Sequence, residues 1–101
     1  MNDTTTAVLT ERGARYGKFT GHAAITQRLK SCMMVHTVER EDPQIPKRTW
    51  DLLEFDQREA LEMIAHKIGR ILNGDPNYED SWRDIAGYAQ LVADRLKGVE
   101  R

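Results

Sequence analysis

The clearest pattern in the chain is a set of apolar positions at helical spacing: Leu61, Ile64, Ala65, Ile68, Ile71 and Leu72. At 100° per residue these six fall within about 120° of arc, the mark of an amphipathic helix. Asp56 followed by Glu59 predicts the N-terminal cap of that helix. Gly74 and Pro76 predict its end. A second periodic run, Trp82, Ile85, Ala86, Ala89, Val92, Ala93 and Leu96, predicts a helix from about Glu79 or Asp80 to Lys97, with Gly98 as its stop. The short link Asp75–Tyr78 makes these two helices antiparallel neighbours.

The N-terminal half is less regular. A helix is expected from about Thr6 to Tyr16, weakened by Gly13 and ended by Gly17. Another is expected from about Gly21 to His36, with Thr20 as its cap and Ala24, Ile25, Leu29, Cys32 and Met33 as its apolar positions. Residues 1–5 are polar and expected to fray. The stretch 37–48 reads as a loop, because Pro43 and Pro46 oppose regular structure and a charge run precedes them. A short helical turn at Thr49–Glu54 would then cover Trp50, Leu52 and Leu53. The expected fold is all-α: one domain spanning 1–101, a small bundle of about four helices with a C-terminal antiparallel pair. Its core would be modest, so association into a homo-oligomer would help stability.

Composition narrows the function classes. The 101 residues carry 15 basic and 16 acidic side chains. A general nucleic-acid binder would show a basic excess, so that class is disfavoured. No apolar run approaches the roughly 20 residues that span a bilayer. The first residues lack the basic and apolar regions of a signal peptide. A cytoplasmic location is the expectation. The lone Cys32 reads as a buried thiol in a reducing compartment. His22, His36 and His66 have no zinc-type spacing, and no nucleophile–base arrangement can be argued from so few candidates.

Two regions carry candidate chemistry. Opposite the apolar stripe, Glu59, Glu62, His66, Arg70 and Asn73 share a helix face, flanked by Lys67. This is either a solvated face or a site in which Glu59 and Glu62, joined by Asp84 from the next helix, hold Mg²⁺ while Lys67 and Arg70 neutralise phosphate. Tyr88 follows Asp84 at helical spacing and would stack on a base or pack at an interface. The second region is Glu11–Phe19, where two glycines, three cations and two aromatics lie within nine residues. There, Tyr16 and Lys18 are the candidates for base and phosphate contact. It is not a phosphate-binding loop of a standard kind.

Tyr16-Gly17-Lys18-Phe19, His66-Lys67-Ile68-Gly69-Arg70-Ile71-Leu72 and Asp80-Ser81-Trp82-Arg83-Asp84-Ile85-Ala86-Gly87-Tyr88-Ala89 together form a recognisable layout. In this the chain resembles small uncharacterised phage and prophage proteins and a phage nucleotide-modification-associated domain. More distantly it is similar to the all-α nucleotide pyrophosphohydrolases of the MazG type. That resemblance implies nucleotide binding, Mg²⁺-assisted attack of water on a phosphoanhydride, and oligomers with sites at the interface. Those enzymes carry ExxE on one helix and ExxD on a later one. Glu59-Ala60-Leu61-Glu62 matches the first motif. Asp84 lacks the matching upstream acid, with Glu79 and Asp80 the only acids near it. The alternative is a non-catalytic phage protein that sequesters a nucleotide signal of host defence, or inhibits a host defence protein directly.

Overall fold

The computed structural model describes residues 3–101. Four helices account for most of them: α1 (Asp3–Tyr16), α2 (Phe19–Val35), α3 (Phe55–Asn73) and α4 (Glu79–Leu96), with a one-turn 3-10 helix at Thr49–Leu52 between α2 and α3. The all-α expectation is met, and the pair α3 and α4 packs most extensively. Among the described residues, no helix is long and apolar enough to cross a membrane.

Several boundaries differ from the sequence expectation. Of the five residues expected to fray, Met1 and Asn2 lie outside the described residues, while Asp3–Thr5 form the first turn of α1. No Gly or Pro precedes Gly13 to stop the helix from reaching back that far. α2 starts at Phe19 with Lys18 at the cap position, so Thr20 lies inside the helix. α3 starts at Phe55, and its cap, Glu54, lies two residues before the expected one, Asp56. Gln57 Oε1 accepts from the Glu54 backbone N–H at 2.8 Å, so the capping box is Glu54–Gln57. Asp56 instead forms a two-pronged ion pair with Arg95 of α4, with N–O distances of 2.7 and 2.6 Å. The loop 37–48 is closed at its base. The Val38 N–H donates to Lys47 O and the Thr49 N–H to His36 O.

α3 is the centre of the molecule. Its contacts with α2 run through Glu62, His66, Gly69 and Asn73. Those with α4 run through Asp56, Ala60 and Lys67. At 100° per residue these two sets point about 130° apart around the helix. α2 and α4 therefore lie on nearly opposite sides of α3, and the three helices form a layer more than a closed bundle. The shape agrees. The molecule extends 57 × 31 × 26 Å with a radius of gyration of 17.0 Å, against about 13 Å for a compact domain of this length.

A layer has little interior. Among the described residues, Trp50, Ala60, Ala65 and Ile71 are the buried apolar ones, and no large side chain is fully enclosed. Much of the rest of the buried set is polar: His22, Thr26, Lys67 and Ser81. Cys32, expected to be buried, is exposed, because the inward face of α2 runs through His22 and Thr26 and Cys32 falls outside it.

Candidate functional site

The hinge between α1 and α2 is lashed to the C-terminal end of α3. Gly17 has φ of 75°, in the left-handed region that L side chains avoid. A Cβ there would collide with the Asn73 carbonyl oxygen. The Asn73 side chain takes up the space this provides. Its Nδ2 donates to Tyr16 O at 2.7 Å and to Lys18 O at 2.8 Å. Two residues further, the Asp75 N–H donates to Arg15 O at 2.6 Å. Two glycines and one amide thus fix Tyr16 and Lys18 against α3, since Gly74 also has no room for a Cβ beside Arg15 and Tyr16.

This junction frames a groove of about 610 Å³. Arg12 and Tyr16 of α1, Lys18 of the hinge and Phe19 of α2 line one side. His66 and Arg70 of α3, with His22, line the other. The Arg70 guanidinium sits 4.1 Å above the Tyr16 ring centroid, which orients both. Phe19 is 78% exposed at the rim. Three permanent cations line the groove and no carboxylate does. In a chain with more acids than bases, that separation makes the groove a local positive region.

Two histidines form its floor. His22 Nε2 lies 3.0 Å from the His66 carbonyl oxygen, and a carbonyl only accepts, so Nε2 carries the hydrogen. Thr26 Oγ1 lies 3.3 Å from the same nitrogen. The two imidazoles meet edge to face with centroids 4.6 Å apart. Burial pushes the His66 pKa down to about 4, and the positive charges of Arg70, His22, Lys67 and Lys30 push the same way. His66 is therefore neutral at physiological pH, chiefly because burial disfavours its charged form.

The sequence candidates divide between four places. Tyr16, Lys18 and Arg70 come together in this groove. Lys67 does not join them. It is buried on the α4 side of α3, with Nζ 3.0 Å from Asp84 Oδ2. Tyr88 and Glu59 line a different groove between α3 and α4, beside the Asp56–Arg95 pair. Glu62 faces Lys30 of α2 at 3.8 Å. Glu59, Glu62 and Asp84 thus point to three different neighbours, and two of the three carboxylates are matched by lysines. Among the described residues, no group of three or more His, Cys, Asp or Glu could hold a metal ion. The donor set within one chain does not fit Mg²⁺, which wants its carboxylates convergent.

Arg12, Phe19, His22 and His66 complete the groove. Arg12 and Phe19 belong to the Glu11–Phe19 segment already singled out. His66 belongs to the polar face already singled out, but its pairing with His22 gave no signal, since 44 residues separate them and only the fold joins them. The interaction that builds the site, Asn73 on the hinge carbonyls, was equally silent.

No curated protein and no solved structure matches the chain. A family model does: residues 1–96 match the domain of unknown function DUF6378. That span contains all four helices and every residue of the groove, and the chain belongs to this family.

Proposed function

We propose that the groove at the α1–α2 hinge binds a nucleotide or nucleotide-derived molecule and does not hydrolyse it. The observation that carries this reading is the pairing of three cations, without a carboxylate, with an aromatic pair in one concave surface. Arg12, Lys18 and Arg70 suit phosphate oxygens, Arg by paired N–H donors and Lys as a compact charge. Phe19 offers an open ring face for a base, the arrangement that gives sequence-tolerant stacking. Neutral His66 offers a hydrogen-bond partner of either polarity.

Binding without turnover is favoured over Mg²⁺-assisted hydrolysis by the carboxylates. Asp84 neutralises a buried lysine and Glu62 faces another lysine, so neither is free to hold a metal in the single chain. A protein of this kind acts by holding its ligand, which fits sequestration of a nucleotide signal.

The test incubates the pure protein with nucleoside triphosphates and cyclic nucleotides, in Mg²⁺ and in EDTA. Ligand that binds in both conditions and is recovered intact after denaturation supports the reading. Turnover that EDTA abolishes overturns the non-catalytic part. Absence of binding to every nucleotide overturns the whole.

A further inference from the structure

The apolar stripe that is so clear in the sequence is only half used in the chain. α2 and α4 hold α3 from either side and bury Ala65 and Ile71 at the edges of its stripe, while the centre lies between them and is only partly covered. Leu61 and Leu72 are exposed, Leu72 by 67%. α4 is rotated in the same sense. The stripe it turns to α3 is the semi-polar one, with Asp84 on Lys67 and Arg95 on Asp56. Its apolar stripe stays partly open, with Trp82 55% and Leu96 61% exposed and Ile85, Val92 and Ala93 half-buried. The two open stripes adjoin. Leu61 and Ile64 of α3 border one apolar groove with Ala89 and Val92 of α4, and Leu53 closes its end. Neither stripe contains a charged residue, in a chain that is 31% charged.

The exposed area is too large for a free-standing chain. The accessible surface is 7491 Å², against about 5,800 Å² for a folded monomer of 11.6 kDa. The excess is about 1,700 Å². The projecting α1 holds part of it, yet half the excess already equals the roughly 800 Å² per partner of a standard interface. Helical domains bury their apolar stripes between two layers, and this chain supplies one.

We infer that the open side of α3 and α4 is the interface with a second copy of this chain, two layers packed face to face about a two-fold axis. An uncharged surface that presents the same stripe twice is self-complementary, as a two-fold contact requires. The groove at the hinge lies on the other side of α3, with His66 and Arg70, so the dimer carries two open grooves facing outward. The inference stands apart from what those grooves bind.

Sedimentation of the full chain at micromolar concentration should give twice 11.6 kDa. Leu72→Lys with Ala89→Lys places charges on two exposed positions of the face and should halve that mass while the far-UV helix signal is kept. Arg83→Glu, off the apolar stripe, should leave the dimer intact. A readout without changes to the face is Trp82 emission in the Trp50→Phe chain. It should be blue-shifted at high concentration and shift red on dilution. A wild-type chain at single mass with concentration-independent, water-exposed Trp82 emission overturns the inference. So does a dimer whose mass the double lysine variant leaves unchanged.

Discussion

The two sides of α3 present opposite cases. On the polar side, residues that looked like a solvated helix face are organised by other elements. Arg70 stacks on Tyr16, Asn73 clamps the hinge, and His66 meets His22. On the apolar side, residues that looked like the core are left partly bare, with Leu61 and Leu72 exposed and Ile68 half-buried. The helix pair is therefore built around polar contacts, Lys67–Asp84 and Asp56–Arg95, as much as around apolar ones. The difference shows that hydrophobic periodicity marks the surface a helix will bury somewhere, while the neighbour that covers it need not be in the same chain.

Breaking the polar side should have the largest effect. Gly17→Val puts a β-branched side chain at φ of 75°, against the Asn73 carbonyl. It should cost about 3 kcal/mol in urea unfolding, through backbone strain and the lost hinge clamp. A stability close to wild type would show that the hinge is not fixed as described.

Arg70→Ala should come next. It removes a cation and the partner of Tyr16, and nucleotide affinity should fall about tenfold or more by titration calorimetry, as for loss of a charge-assisted hydrogen bond. The corresponding change at Arg28, outside the groove, should leave affinity unchanged. Equal losses in the two variants would mean that binding is non-specific attraction.

Asp84→Asn separates two roles for one residue. As the partner of buried Lys67, its loss leaves a buried ammonium poorly compensated, a cost of about 1–2 kcal/mol because Asp84 itself is 46% exposed. The cost should appear equally in EDTA and in Mg²⁺. A variant as stable as wild type in EDTA but deficient only with Mg²⁺ would return Asp84 to a metal site.

The smallest effect is the pH dependence of His66. Its folded pKa of about 4 lies below the ordinary 6.5. Between these values the unfolded chain binds the proton and the folded chain refuses it. Stability should therefore fall as pH is lowered through about 6.5 to 4 and be unaffected by this group above that window. A bound phosphate would offset the surrounding cations and raise the His66 midpoint, which an NMR titration reads. A midpoint near 6.5 without ligand would show that the ring is not buried among cations as described.

The sequence was most legible where a single helix decides the pattern. The runs from Leu61 to Leu72 and from Trp82 to Leu96 gave α3, α4 and their antiparallel pairing. It was less legible where elements meet. Asp56 looked like a cap because Glu59 follows it, yet Glu54 and Gln57 take that role and free Asp56 for Arg95. Cys32 fitted a buried face drawn from apolar spacing, but α2 turns His22 and Thr26 inward because Gly69 of α3 leaves room for them. Tyr16, Lys18 and Arg70 were read as candidates from residue type alone. Their meeting depends on Gly17 and Asn73, 56 positions apart, whose contact no local pattern announces. Lys67 had the same local credentials as Arg70. A displacement of about 60° around the helix was enough to send it to α4 instead.

The most direct measurement is a ¹H–¹⁵N spectrum of the chain titrated with a nucleoside triphosphate and then with a cyclic nucleotide, each in EDTA. The account predicts shifts for at least one of them, confined to residues 12–22 and 66–73, with the nucleotide recovered unchanged. Binding that needs Mg²⁺ and moves the signals of Glu59, Glu62 and Asp84 instead would contradict it, as would a spectrum that neither nucleotide changes.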